Sequence, residues 1–247
     1  MTEPLVSCVI ATRNRGHLIK AMLMSLQHQT YSNWECIIIQ DWCEDWTNFV
    51  IEVIADKRIR TYSNDGTMAR GKSASMNVAK KYIKGKYVFV FDDDDIMCPC
   101  KLEKSVQMME ESKADMGYSA RYTHLLNNQI TYTHTDPFDM AQFLDKPFIG
   151  FGSIVVTKEL FDKVEWDEKL NASLDFDWIS KLAMTGPKMV YTDIPLYIWR
   201  NHLSSITYAN NVLQRMNYMK VKRRIKRELK KKKPTITVEQ WPKVGAP

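Results

Sequence analysis

Four consecutive carboxylates, Asp92, Asp93, Asp94 and Asp95, follow directly on the wholly apolar run at 87–91 (YVFVF). Adjacent carboxylates repel one another unless a cation neutralises them. Oxygen donors of this kind suit hard divalent ions, and Mg2+ or Mn2+ held by carboxylates commonly bridges to substrate phosphates. Asp41 closes a second apolar run, 34–40 (WECIIIQ), so acids stand at the ends of two expected strands. The competing reading is a solvated acidic loop; the position after a buried strand favours metal and phosphate. Two more acids, Asp175 and Asp177, lie in LDFDW at the start of a helical stretch. A spacing of i, i+2 puts them on different faces of a helix, so they are not a simple carboxylate pair, and either could serve the helix dipole. Cys98 and Cys100 flank Pro99 with no His or second cysteine pair nearby, which is a poor zinc set.

Groups this far apart in sequence have to be gathered by the fold. Residues 4–11 (PLVSCVIA), 34–40, 59–62 and 87–91 are apolar runs without in–out alternation, as expected of strands covered on both faces. Between them, helical periodicity from Leu18 to near Gln29, over 47–55 and over 72–83 gives an alternating βαβ order. That order argues for a parallel sheet with helices on both faces. In an open parallel sheet, ligands bind outside the carboxyl ends of the strands, where Asp41 and Asp92–Asp95 fall. Further on, 101–112 is helical and 115–123 strand-like. Residues 124–150 are irregular and polar. A strand and short helix follow over 153–164, a helix over 174–185, and two short strands around Pro195 over 188–199.

The bulk numbers narrow the class. A chain of 247 residues with 45% hydrophobic content can bury a full core, as one large α/β domain or two small ones. No apolar run approaches ~18 residues, so no membrane-spanning helix is expected. The opening MTEPLVSCVIATRNR has no basic stretch and only a short apolar run, unlike a secretory leader. Five scattered cysteines suit a reduced, cytoplasmic setting. The net charge of +6 is unevenly placed: residues 215–233 carry eleven Lys or Arg and one acid, a net of +10, so residues 1–214 carry −4 and residues 234–247 none. On this basic stretch Tyr218, Val221, Ile225 and Leu229 form one narrow apolar stripe of a helix that Pro234 stops. Such a helix suits an anionic membrane surface, a nucleic acid, or docking on the body or another subunit. The last residues, TITVEQWPKVGAP, look like a loose tail.

Over residues 4–207 a series of motifs resembles glycosyltransferase family 2, the inverting nucleotide-sugar transferases of GT-A fold. PLVSCVIATRNR…SLQHQTYSNWECIIIQD resembles the family's opening strand, its T-x-N-R loop and its S-x-x-x-Q-T-Y-x-N-x-E segment. GKSASMN is similar to G-x-S-x-A-R-N, and FDDDDIMCPCKLE to L-D-x-D-D-x-x-x-P-x-K-L-E. LDFDW and YIWRNH resemble the E-D-x-D and Y-R-x-H elements. The resemblance implies a Rossmann-like, mostly parallel central sheet with helices on both faces, plus the basic C-terminal helix. It implies a transferase body at 1–212, with a nucleotide-sugar half at 1–100 and an acceptor half at 101–212, and a basic helix and tail at 213–247.

The implied reaction is metal-dependent transfer, with inversion, from a nucleoside-diphosphate sugar to an acceptor hydroxyl. A UDP-sugar is the first choice of donor and Mn2+ or Mg2+ the ion; the acceptor is a glycan or lipid-linked glycan. By the same resemblance Asp175 is the catalytic base. Thr12, Arg13, Asn14, Asp41, Lys72, Asn77, Asp92, Asp93 and Arg200 bind the nucleotide sugar, and Asp94 and His202 bind the metal. Asp95, Gly152 and Trp178 are candidates for contact with the acceptor or donor sugar. The chain departs from the family at Gln40, Trp42–Cys43, Met76 and Leu174, where an acid, Gly–Ser, Arg and Glu are usual; Lys72 or Arg70 would supply the charge lost at Met76. Two alternatives stay open: the same chemistry on a nucleic-acid acceptor, and a non-catalytic nucleotide-sugar or glycan-binding protein. The expected location is cytoplasmic, peripheral on the inner face of the membrane.

Overall fold

A computed structural model describes residues 3–64, 71–203, 205 and 211–241; Arg70 lies outside them. Among the described residues ten strands form one mixed sheet. Its parallel half is built from the apolar runs β1 (Val6–Thr12), β2 (Trp34–Asp41), β3 (Ile59–Asn64) and β4 (Tyr87–Asp92), in the order β4-β1-β2-β3. Register follows from burial of both faces: Thr12 pairs with Gln40, Ala11 with Asp92, and Asp41 with Asn64. Thr12, Asp41 and Asp92 therefore reach one edge of the sheet together.

Beyond β4 the sheet becomes mixed. Strand β8 (Val155–Thr157) runs antiparallel to both β4 and β6 (Met116–His124), and β9 (Lys188–Arg200) lies parallel to β6. The short β5 (Ile96–Met97) pairs with β9, and β7 (Ile130–Thr133) with β6.

Two apolar layers cover the sheet. One packs α1 (Gly16–Gln27) and α4 (Lys101–Ser112) through residues such as Ile19, Met22, Leu23, Leu102 and Met109. Gly16 sits where a Cβ would lie 3.1 Å from the Thr47 backbone nitrogen, which lets α1 meet the start of α2 (Thr47–Ile54). The other layer packs α3 (Lys72–Ala79), α5 (Met140–Asp145), α6 (Lys158–Lys163), α7 (Leu174–Met184) and α8 (Asn211–Lys231).

Three expectations need correction, and for the basic helix one of its three readings, docking on the body, is met. The two strands expected around Pro195 are one, β9; Pro195 has no N–H to donate, and the ladder to β6 slips register there. The stretch 124–150 holds the hairpin strand β7 and the helix α5, whose first turn is capped by Asp139 accepting from the Gln142 amide at 2.7 Å. The end of the chain is not loose: β10 (Thr237–Gln240) extends the sheet beside β9, and Trp241 is buried with its indole N–H on Glu111 at 2.7 Å. The stripe on the basic helix is occupied by the body. Val221 and Ile225 are buried, Tyr218 and Leu229 pack on the same core, and Arg224 of α8 pairs with Asp177 of α7 and with Asp167 at 3.3 Å.

Candidate active site

The carboxyl ends of β1, β2 and β4, the start of α3, the start of α7 and the end of β9 surround a cleft of about 460 Å3. Thr12, Arg13, Asp41, Lys72, Asp92, Asp93, Asp94, Asp175 and Arg200 all line it. Nine of the expected site residues, from six separate parts of the sequence, thus share one cavity.

The acids at its floor are held by cations. Lys72 Nζ donates to Asp92 Oδ1 and lies 3.7 Å from the ring centroid of Phe151. Arg15 Nη1 donates to Asp93 Oδ1 at 2.8 Å and to Asp94 Oδ2 at 2.7 Å. His202 Nε2 is 3.0 Å from Asp94 Oδ2. The Arg200 backbone N–H donates to Asp95 Oδ1 at 3.0 Å, and its Nε donates to the Asp94 carbonyl. Asp92 borders the cleft and is partly exposed to it. Burial raises its pKa; Lys72 opposes the shift and Asp94 adds to it. Burial also raises Asp93 against the pull of Arg15, and pushes Asp95 well up, helped by Asp92 and Asp94. Lys72 is raised as well, here by its charged neighbours. Burial works against its charge, but Asp92, and then Asp175 and Asp94, more than reverse this and raise it.

Ligand atoms of Asp92, Asp94 and Asp95 lie within 4.8 Å of one another. Crowded carboxylate oxygens are the donor set a hard divalent ion takes, and such an ion would relieve the repulsion among them. The residues present fit Mg2+ or Mn2+.

At the far end of the cleft Asp41 is buried. Its Oδ2 accepts from the Gly71 backbone N–H at 2.9 Å, while Oδ1 has no hydrogen-bond partner among the described residues. Gly71 takes φ 102°, which an L side chain rarely adopts, to present that amide at the head of α3. An ionised carboxylate only accepts, so the free oxygen suits an N–H group such as a nucleobase edge offers.

Several expected residues are not brought to the cleft. Asn14, at φ 51°, uses its side-chain oxygen on the Glu44 amide at 2.8 Å. Asn77 ties α3 to the backbone of Trp166 and to Glu168. Trp178 is wholly buried and stacks on Trp166 with ring centroids 4.5 Å apart, so it is a core residue with no face for a sugar. Gly152 is buried where a Cβ would meet the Tyr197 ring at 2.8 Å, so its smallness serves packing. Met76 faces the core, and Lys72 supplies the cation on that helix. Asp177 is buried between Lys181 at 2.8 Å and Arg224, a structural pairing.

The sequence reading passed over Arg15, the last residue of the T-x-N-R loop it had quoted. It also missed the Gly71 amide, for which a side-chain motif carries no signal. A second hollow of about 320 Å3 adjoins the first; Ser173, Asp175 and Gln214 line both.

Comparisons with known proteins agree with this fold. The chain is 34% identical over 164 residues to the Escherichia coli UDP-Glc:alpha-D-GlcNAc-diphosphoundecaprenol beta-1,3-glucosyltransferase WfgD, covering 66% of this chain and 64% of the relative. The chain thus spans less than two thirds of that relative's length. The S. aureus protein TarS, solved as residues 1–349 with UDP-GlcNAc, shares the fold with a TM-score of 0.76 at 16% identity, over 91% of this chain and 66% of TarS. The mannosyltransferase PcManGT from Pyrobaculum calidifontis, solved with GDP-Man and Mn2+, gives a TM-score of 0.67 at 15% identity, over 90% of this chain and 64% of that one. Residues 7–164 match the family described as "Glycosyl transferase family 2", more than half of the chain, and the protein belongs to that family.

Proposed function

We propose that the protein transfers a sugar from a nucleoside-diphosphate sugar, with a UDP-sugar as first choice, to a hydroxyl of a lipid-linked glycan, with inversion at the anomeric carbon. The observation that carries this reading is the cleft itself: an acid trio and four basic side chains gather at one end, and the separate carboxylate of Asp175 borders the same space. The nucleotide half is residues 1–100 and the acceptor half 101–212. WfgD acts, by its name, on a diphosphoundecaprenol-linked sugar with UDP-Glc, which supports both the donor and the acceptor class.

In this reading Asp41 Oδ1 accepts from the base, and Arg13 and Thr12 border the nucleotide. Arg15 and Lys72 release their carboxylates, and Arg200 the backbone carbonyls of Asp94 and Leu18, to meet the donor's diphosphate. Asp92, Asp94, Asp95 and His202 would hold a divalent ion, which when bound supplies Lewis-acid stabilisation to the leaving diphosphate. Asp175 takes the proton from the acceptor hydroxyl as it attacks. The lysines and arginines of α8 hold the enzyme peripherally on an anionic membrane, on the cytoplasmic side, where a lipid-linked acceptor is found.

A thermal-shift screen of nucleoside-diphosphate sugars with Mn2+ identifies the donor, because a bound ligand raises apparent stability by mass action. Asp175→Asn is expected to abolish transfer while the donor still shifts the melting temperature. Asp94→Ala is expected to lose both transfer and the Mn2+-dependent part of that shift. Near-normal turnover by Asp175→Asn would remove the base from this scheme.

A further inference from the structure

We infer that the second hollow is an anionic acceptor subsite in which Arg215 receives the phosphate or diphosphate joining the acceptor sugar to its carrier. The inference rests on the transferase reading and gives its acceptor a place and a recognition chemistry. The hollow is lined by Pro147, Phe176 and Tyr218 on its apolar side and by Ser173, Gln214 and Arg215 on its polar side, with Asp175 shared with the donor cleft. A hydroxyl in this hollow and a donor in the cleft would thus flank the same carboxylate.

The walls are fixed in place. The Tyr218 ring lies 4.7 Å from the Phe176 ring, and its hydroxyl donates to the carbonyls of Leu144 and Asp145 at 2.7 Å, so the ring presents a set face. Ser173 Oγ donates to the Gln214 carbonyl at 3.0 Å, and Asn217 Nδ2 donates to Asn171 Oδ1 and to the Ala172 carbonyl. These bonds join the start of α8 to the loop that delivers Asp175.

Within this frame Arg215 is the one cation among the described residues that line the hollow. Lys222 is paired with Asp145 at 3.0 Å, and Arg224 with Asp167 and Asp177. Arg215 is exposed, borders the hollow and makes no ion pair among the described residues. A planar guanidinium can give two parallel N–H donors to a phosphate. A volume of about 320 Å3 with an aromatic wall and one cation suits a sugar phosphate better than a neutral oligosaccharide.

The test uses the full chain and decyl diphosphate, titrated calorimetrically with Mn2+ after the donor cleft is saturated with the nucleoside diphosphate that a thermal-shift panel selects. If no nucleotide binds, the transferase reading fails on that arm alone, and the decyl diphosphate titration still reports on the hollow. Expected is binding that persists with nucleotide present and weakens at least tenfold in Arg215→Ala. Arg215→Lys should recover part of the loss, and Lys230→Ala at the far end of the helix should change affinity less than twofold. Phosphatidylglycerol vesicles, titrated in parallel, should lose no more affinity in Arg215→Ala than in Lys230→Ala, which separates an acceptor diphosphate from a lipid headgroup. Melting curves check that the variants fold; Arg215→Gln serves if the alanine variant does not. Unchanged affinity in the Arg215 variants, an equal loss in Lys230→Ala, or displacement of decyl diphosphate by the nucleotide would overturn the proposal.

Discussion

The amine of Lys101 is fully buried without a hydrogen-bond partner among the described residues, 5.5–5.7 Å from the ring centroids of Phe89, Phe91 and Tyr197. Burial lowers its pKa from 10.5 to about 8, against the opposing pull of Cys98, Cys8 and Asp95. A folded-state pKa below the unfolded one means that the unfolded chain binds more protons between pH 8 and 10.5. The penalty is therefore complete below pH 8, and stability rises with pH across that window. Lys101→Met, which keeps the volume and suits the aromatic surroundings, is expected to stabilise the protein by about 1–3 kcal/mol at pH 7. The gain should fade by pH 10.5 in paired denaturant melts; an equal gain at both pH values would place the effect in packing instead. In the sequence this lysine is simply the third position of P-C-K-L-E, because nothing local distinguishes a buried lysine from a solvated one. The aspartates were legible for the opposite reason: four like charges directly after an apolar strand need a cation wherever they sit. Trp178 was misplaced because an aromatic residue near a catalytic acid has the same letter whether it faces a ligand or the core.

The helices and strands of the parallel half lie within a few residues of their expected positions, because runs such as CIIIQ and YVFVF have few other ways to be buried. What escaped were elements whose stability comes from a neighbour. Strand β10 is four residues long and mostly exposed, held by β9 and by the burial of Trp241. Strand β9 continues through Pro195 because β6 accommodates the slip. Helix α8 carries the most consequential ambiguity: the spacing of Tyr218, Val221, Ile225 and Leu229 defines a stripe but not its partner. The partner is the layer formed by α5 and α7. Ile225→Ala is accordingly expected to destabilise the whole protein by about 2–4 kcal/mol, the cost of a cavity in a packed core. A stripe meant for lipid would leave the stability in solution nearly unchanged, and urea unfolding of the two proteins decides between them.

Charge is the property that belongs to the whole molecule. A body of net −4 is repelled by an anionic membrane, and a segment of net +10 is attracted to it, so the molecule has a preferred side. The first turns of α8 border the hollow beside Asp175, and adsorption through this helix would bring the hollow close to a glycan standing on the lipid surface. Because Val221 and Ile225 are docked on the body, attraction has to be mainly electrostatic, with about 1 kcal/mol for each Lys or Arg near the surface. Screening then sets the outcome: the Debye length falls from about 10 Å at 0.1 M salt to about 3 Å at 1 M. The protein is expected to sediment with phosphatidylglycerol vesicles at low salt, to be released near 0.5 M, and to leave phosphatidylcholine vesicles alone at any salt. Retention on neutral vesicles would instead mean that apolar surface enters the bilayer, and the exposed Met216 and Met219 on the outer side of α8 would be the residues to change first. Release by salt with no loss of turnover on a soluble acceptor analogue would show that the membrane positions the enzyme and takes no part in the transfer itself.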